Sequence, residues 1–177
     1  ATCLFAAIST DTGSFTYTTT TSECLHVCAE LVQTGINVGE VCRHIYESYP
    51  YARLQLLQMA LADLKLAHHK HVAYYWITNE MYEESGAKPE DTEGLIDYAR
   101  AIEGVYVAIL FEELPEPNKV RISLRSKHPK VDVNSIARRF GGGGHREAAG
   151  ARISGETHEI EAKVVAAVSS ALEAAGL

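Results

Sequence analysis

The sequence predicts an α/β fold, in which a mixed β-sheet with helices packed on it follows a helical N-terminal region. From residue 68 onward, short segments rich in β-branched and aromatic residues alternate with segments of helical periodicity. Their predicted order is β-α-β-β-α-β-α, which is typical of a mixed sheet domain. The apolar fraction of 46% and the charged fraction of 22% are those of a chain that buries a substantial core.

The first 67 residues are predicted to form one strand and three helices. Residues 4–8 favour a short buried strand, which a turn beginning at Asp11 would end. Ser22 and Asn37 are the predicted N-caps of the first two helices, and Pro50 ends the second. The three helices are predicted over residues 22–33, 38–48 and 51–67.

The sheet domain is predicted from alternation, turn residues and one helix cap. Pro115 and Pro117 mark a turn between two strands, and Asp132 is the predicted N-cap of a short helix. The strands are predicted over residues 71–78, 104–113, 119–126 and 148–154, and the helices over residues 90–102, 132–140 and 158–177.

One segment of the chain is strongly basic. From Lys119 to Arg152 there are nine Lys and Arg residues against two acids, a local balance of +7. The whole chain carries a net charge of −7, so the remainder sums to −14. This balance argues against bulk binding to long nucleic acid and favours a local site for an anion.

The basic segment contains four consecutive glycines, Gly141 to Gly144. A helix C-cap would explain one glycine, but each further one adds about 0.5–1 kcal/mol of conformational cost relative to alanine in regular structure. Backbone without side chains can turn N–H groups toward an anion or admit a flat base. Neither the Walker pattern nor the dinucleotide fingerprint is present. We therefore expect this run of glycines to contact a ligand.

Three side chains beside the glycines suit a phosphate. Alternation places Arg121, Ser123 and Arg125 on one face of their strand. An arginine fork matches a phosphate bidentately, and the Ser126 hydroxyl could add a hydrogen bond. His145 could donate to a phosphate oxygen or stack on a base. A solvated polar strand face is the alternative explanation.

Other titratable clusters give weaker indications. His68, His69 and His71 resemble a metal-binding tract, but they lack a carboxylate or cysteine at ligand spacing, which favours an exposed junction. The four cysteines form no C-x-x-C pair and are expected to be reduced. Asp11 within Asp-Thr-Gly-Ser could be a hard-metal ligand, an Asx-turn residue or, remotely, an aspartic-protease-like carboxylate.

Together, AAISTDTGSF, SLRSK and FGGGGHREAAGA resemble the DHH-family phosphoesterases. Within that family, the chain is similar to the NrnA-like branch, which acts on short oligoribonucleotides and phosphoadenosine phosphate. The resemblance covers essentially the whole chain, and G-G-G-G-H-x-x-A-A-G is a specific signature. It implies a DHH domain with two Mn²⁺ ions and, across a cleft, a DHH-associated domain that grips the substrate.

The resemblance also implies roles and boundaries along this chain. Residues 1–48 would be the C-terminal remnant of the DHH domain, residues 49–67 a linker helix, and residues 68–177 the DHH-associated domain. Asp11 would match the last metal-binding aspartate. The residues that would match the substrate-gripping set are Arg125, Ser126, Gly142, Gly143, Gly144 and His145.

The Asp-His-His triplet and the N-terminal His/Asp metal motifs of that family are missing from this sequence. We therefore expect the substrate-binding portion of a Mn²⁺-dependent phosphoesterase acting on short RNA or nucleoside 3′,5′-bisphosphates, inactive as it stands. A cytoplasmic, homo-oligomeric protein without a membrane segment is the further expectation. The alternative function is a non-catalytic nucleic-acid-binding or dimerisation module.

Overall fold

The structure, a computed structural model, describes residues 1–17 and 19–177. It divides into two compact units, Ala1–Pro50 and Tyr51–Leu177. The helix predicted over residues 51–67 begins the second unit, where it ends early at Ala62. Within the described residues, no helix is long and apolar enough to span a membrane.

The first unit consists of three helices, α1 (Thr2–Asp11), α2 (Ser22–Gln33) and α3 (Val38–Tyr46). The predicted N-cap Asn37 is confirmed, because its side chain accepts a hydrogen bond from the Glu40 amide at 3.1 Å. The cap of α2 is Thr21 rather than the predicted Ser22, and its hydroxyl accepts from the Cys24 amide.

The prediction of a strand over residues 4–8 is wrong, because this segment lies inside α1. An apolar run of five residues fits a buried helix as well as a buried strand, and periodicity does not separate the two. Phe5 and Ser9, one helical turn apart, are the buried residues of α1. The Phe5 ring contacts the Phe15 ring, and the Ser9 hydroxyl lies 2.9 Å from the Tyr46 hydroxyl. These contacts are made by one face of a helix.

The second unit is a six-stranded mixed sheet with helices on both faces, so the predicted α/β class is confirmed. The strand order is β1-β2-β3-β4-β6-β5; β2 and β3 are parallel, and all other neighbours are antiparallel. The strands are β1 (Lys65–Ala67), β2 (Val72–Ile77), β3 (Val107–Glu113), β4 (Lys119–Ser126), β5 (Gly143–Gly144) and β6 (Ala148–Ser154). The helices are α4 (Tyr51–Ala62), α5 (Asn79–Ser85), α6 (Ile96–Ala101), α7 (Val133–Arg139) and α8 (Thr157–Ala174).

Two local predictions in this unit need correction, and two elements were not predicted. The end of the helix predicted over residues 51–67 is strand β1, because Lys65–Ala67 pairs antiparallel with β2. The single helix predicted over residues 90–102 is instead a 3₁₀ turn, Pro89–Thr92, followed by α6. Gly94, with a φ of +76°, lies between the two and separates them. Helix α5 and the two-residue strand β5 had no sequence prediction.

The two faces of the sheet are covered to different extents. On one face, α7 and α8 bury apolar side chains of β2, β3, β4 and β6 in a single core. On the other face, a second core joins α4 and α6 to β2 and β3 only, through residues such as Leu56, Leu95 and Tyr75. The part of this second face formed by β4, β6 and β5 therefore contributes no side chain to that core, and a groove lies there.

Candidate nucleotide-binding groove

The groove runs over the strands at the β5 edge of the sheet. Its cavity of about 430 Å³ adjoins a second of about 400 Å³, and the two share Arg121, Ser123 and Arg125 from β4. The second cavity is walled by the segment from Pro89 to Gly94. The two cavities therefore form one groove with a strand floor and a loop wall.

The floor of the groove is main chain. Ser123 pairs with Gly150 on β6, and Gly150 pairs with Gly143 on β5, so one row across three strands carries two glycines and a serine. A Cβ atom on Gly150 would lie 2.6 Å from the Ile122 carbonyl oxygen, which no side chain tolerates. Flat ligand groups can therefore approach the peptide groups of this row closely.

The four glycines of the run differ in what they do. A Cβ atom on Gly142 would lie 2.0 Å from the Gly150 carbonyl oxygen, and one on Gly144 would lie 2.5 Å from the Ala148 carbonyl oxygen. Packing against β6 therefore requires both glycines, whether or not a ligand binds. Gly143 has open space around its Cβ position except for the Asn134 side-chain oxygen at 3.8 Å, and it alone of the four lines the groove.

Arg121 lines the groove, but a partly buried network of ionic and hydrogen-bonding partners holds its guanidinium. Its Nε donates to the Glu112 carboxylate at 2.7 Å, its Nη2 forms an ion pair with the same carboxylate, and Nη2 donates to the Thr92 hydroxyl at 3.1 Å. Tyr82 donates to the other Glu112 oxygen at 2.8 Å. Burial and the adjacent Glu112 carboxylate raise the pKa of Tyr82, so its phenol stays protonated and donating.

Arg125 and Arg152 supply the available positive charge of the groove. The Arg125 Nη1 donates to the neighbouring Leu124 carbonyl at 3.1 Å, and within the described residues it has no acidic partner. Arg152 is exposed and pairs across the strands with Arg121, whose charge Glu112 balances. A charge-assisted bond to an incoming phosphate is therefore open to Arg125 and Arg152.

The structure does not bring Ser126 into the groove. Strand alternation places it on the face opposite Arg125, where it is 3% exposed. Its hydroxyl donates to the His128 carbonyl and accepts from the His128 amide, both at 3.2 Å. The hydroxyl that faces the groove from β4 is that of Ser123, which alternation had placed on the same strand face as Arg125.

His145 lies at the end of the groove without lining it. It begins the tight turn that joins β5 to β6, and its amide donates to the Ala148 carbonyl at 2.7 Å. Its side chain is exposed. Because Ala148 lines the groove and His145 is hydrogen-bonded to it, His145 lies next to the mouth of the groove, meaning its open end at the turn between β5 and β6.

The loop wall is anchored from α4 by a residue that sequence reasoning missed. Buried Arg53 donates to the Asp91 carbonyl at 2.5 Å and to the Glu93 carbonyl at 2.6 Å. Thr92, between these two residues, accepts from Arg121 of β4. The wall is therefore fixed to both a helix and the sheet. No local sequence signal links Arg53 to carbonyls about forty residues later.

The predicted metal-related residues lie elsewhere. Asp11 is the exposed last residue of α1, not the end of a strand. His68, His69 and His71 lie in and next to the turn between β1 and β2. Within residues 1–17 and 19–177, no group of three or more His, Cys, Asp or Glu side chains is arranged to hold a metal ion.

Comparison with known proteins identifies the class. Residues 69–174 match the family model of the DHHA1 domain, and the chain belongs to this family. It is 32% identical over 177 residues to the bifunctional oligoribonuclease and PAP phosphatase NrnA of Thermus thermophilus, covering 99% of this chain and 52% of that protein. The NrnA of Bacillus subtilis is 28% identical over 153 residues, covering 85% and 46%. The predicted resemblance to the NrnA-like branch is therefore confirmed.

A solved structure agrees with these relatives. An exopolyphosphatase-related protein from Bacteroides fragilis superimposes with a TM-score of 0.84 at 30% identity, over 97% of this chain and 49% of that one. The chain spans about half the length of the curated relatives it matches. The match with that structure extends over both units of this chain.

Proposed function

We propose that this chain is the substrate-binding portion of a Mn²⁺-dependent phosphoesterase that acts on short oligoribonucleotides or nucleoside 3′,5′-bisphosphates. The observation that carries the proposal is the groove floored by Gly143 and Gly150, with Arg125 at its side and no acidic partner for Arg125 within the described residues. Similarity to the NrnA proteins supports the nucleotide class of substrate.

The groove residues divide the recognition of such a ligand between them. The Arg125 guanidinium would bind a phosphate bidentately, with Arg152 as a second cation and the Ser123 hydroxyl as a further hydrogen-bonding group. The main-chain row through Gly150 would receive a sugar or a base, since no side chain stands there. His145 would reach the ligand from the mouth of the groove.

We propose that the hydrolytic step needs metal ligands in addition to Asp11. Asp11 remains the proposed metal ligand of this chain, and two Mn²⁺ ions would supply an activated water and neutralise the leaving phosphate. Support for the need for further ligands comes from residues 1–17 and 19–177, among which no group of three or more His, Cys, Asp or Glu side chains is arranged to hold a metal ion. We therefore propose that this chain binds substrate without cleaving it.

A paired assay of binding and hydrolysis tests the proposal. Arg125→Ala is expected to weaken binding of a 5′-phosphorylated diribonucleotide by about 1–3 kcal/mol, through loss of a charge-assisted hydrogen-bonded pair. Isothermal titration calorimetry measures the affinity. Product formation with Mn²⁺ is followed in parallel, and none is expected from this chain.

Lys163→Ala is the matched control for this assay. It also removes one positive charge, but Lys163 is exposed on α8, which covers the opposite face of the sheet, so dinucleotide affinity should stay unchanged. Equal affinities of wild type and Arg125→Ala would remove Arg125 from the site. Hydrolysis that is lost in Asp11→Ala would show that this chain assembles a metal site of its own.

We also propose that the protein is cytoplasmic and self-associates. Among the described residues of the first unit, four large aliphatic side chains are exposed: Leu4 at 61%, Leu25 at 50%, Val27 and Val32. Burying such side chains between copies would remove apolar surface from water. Sedimentation equilibrium should give at least twice the monomer mass, and Leu25→Glu should lower it. A monomer at every concentration would contradict this proposal.

A further inference from the structure

Five aromatic rings form a continuous row at one end of the sheet. The ring of His71 stacks on that of Tyr106, with centroids 4.5 Å apart and planes 13° apart, and the Tyr106 ring lies 5.0 Å from that of His128. At the other end of the row, His68 lies 6.4 Å from His71 and 5.6 Å from His69. These spacings are those of aromatic groups in contact.

The loops that carry the row are basic and rich in histidine. They are residues 68–71, 102–106 and 127–131; together with the adjacent turn 145–147, which carries no ring of the row, they hold five of the eight histidines of the chain. Their Lys and Arg residues are Lys70, Lys127, Lys130 and Arg146, and their acids are Glu103 and Glu147. A net positive surface with stacked rings stands out on a chain whose overall net charge is −7.

Main-chain hydrogen bonds hold the row in place. The His71 ring Nδ1 lies 2.8 Å from the Gly104 carbonyl, and the Tyr106 amide donates to the His71 carbonyl at 2.8 Å. The Lys127 amide donates to the Tyr106 carbonyl at 2.8 Å, which places the following His128 beside Tyr106. The rings are therefore positioned by the ends of β2, β3 and β4 rather than by flexible side-chain contacts alone.

The turn between β1 and β2 has an unusual backbone. His68, His69 and Lys70 all have positive φ, at 47°, 53° and 70°. Residues other than glycine rarely adopt this region, and the left-handed conformation costs roughly 1–2 kcal/mol per residue. The result is that three imidazole rings are held together on a four-residue turn, with His69 exposed and His68 and His71 partly buried, although glycine would adopt this backbone more easily.

The row begins where the groove ends. Arg125 pairs with Ala148 at the last position of the β4–β6 ladder, and the chain then turns through His145 and Arg146. The Arg146 guanidinium donates to the carbonyl of Pro129, the residue after His128. A strand leaving the groove at Ala148 would thus meet His145 and Arg146 first, and the ring row next.

We propose that this row is a second binding surface, on which the bases of a single-stranded nucleic acid stack after its end has entered the groove. Each base has a π-face that can stack on an aromatic ring, and in this row the His69 ring is exposed and the other four rings are partly buried. Nearby Lys and Arg residues attract the phosphates. The inference rests on the proposed function for the groove, because the groove holds the end of the strand. It assigns to this chain a substrate longer than the groove itself can hold.

The test compares a dinucleotide with a seven-nucleotide oligoadenylate, both 5′-phosphorylated and unlabelled, by calorimetric titration. His128→Ala and Tyr106→Leu are each expected to weaken binding of the seven-nucleotide RNA about 5- to 150-fold, the range for loss of one stacked base. Dinucleotide affinity should stay within twofold of wild type. Tyr106→Phe keeps the ring and should bind both RNAs like the wild type.

Two further variants separate the possible outcomes. His158→Ala removes an exposed histidine from the first turn of α8 and should leave both affinities unchanged, whereas exposed His69→Ala tests the far end of the row if His128→Ala does not fold. Unchanged seven-nucleotide affinity in the ring variants, or equal loss for both RNAs, overturns the proposal. Failure of the groove proposal gives a different result, namely no dinucleotide binding by the wild type.

Discussion

Replacing Glu112 by alanine is expected to lower the free energy of unfolding by about 2–4 kcal/mol, since a buried charge pair loses one partner. Glu112 is 3% exposed and accepts hydrogen bonds from Tyr82 and Arg121. Alanine would leave the Tyr82 hydroxyl and the Arg121 guanidinium without their acceptor. The value lies below that of a fully buried pair because the Arg121 side chain is 38% exposed and partly solvated.

Urea denaturation followed by tryptophan fluorescence measures this loss, because Trp76 lies in the core of the same unit. Glu112→Gln is the matched control: it keeps the volume and an oxygen that can accept from Tyr82, so it should cost less than alanine. A double variant with Arg121→Met should cost less than the sum of the single variants. If Glu112→Ala unfolds at the wild-type urea concentration, the network contributes no stability.

Gly142→Ala is expected to lower stability by about 3 kcal/mol, at the upper end of the range for overpacking. The added Cβ would lie 2.0 Å from the Gly150 carbonyl oxygen and 2.5 Å from the Ala151 Cβ. Both neighbours belong to β6, so the backbone itself would have to move. The thermal unfolding midpoint should fall by roughly 6–12 °C for a domain of this size.

Gly143→Ala is the control for the same run of glycines. Its Cβ would meet only the Asn134 side-chain oxygen, at 3.8 Å, so the midpoint should change little. Because Gly143 lines the groove, this variant should instead weaken dinucleotide binding. Similar midpoints for the two variants would mean that β5 does not pack on β6 as the structure has it.

The sequence predicted best the elements that local rules determine. Strands Lys119–Ser126 and Ala148–Ser154 have the bounds that alternation gave them, and Asp132 caps α7 through bonds from the Asn134 and Ser135 amides. Alternation and capping depend on residues within a few positions of each other. For the same reason, the position of Arg125 on the groove face followed from the sequence.

The predictions that failed depended on contacts between distant segments. Residues 4–8 form part of a helix, on one face of which Phe5 contacts Phe15 and Ser9 contacts Tyr46. The Lys65–Ala67 segment leaves the predicted helix to pair with β2. Packing against β6 requires a glycine at position 142 but not at position 143, and this difference depends on where β6 passes. The anchoring of the loop wall by Arg53 depends on the position of α4. None of these partners can be read from neighbouring residues.

A groove floored by peptide groups has a consequence for selectivity. The row of Ser123, Gly150 and Gly143 carries one side-chain group, the Ser123 hydroxyl, so a base lying over the two glycines would meet only amides and carbonyls, which do not tell adenine from uracil. A side chain cannot easily be added at Gly150, because its Cβ would collide with the Ile122 carbonyl oxygen, whereas Gly143 has space for one. Under the proposed function, the backbone at Gly150 would therefore accept any nucleobase, and a change of preference would have to come from position 143, from Ser123 or from the side chains at the rim of the groove.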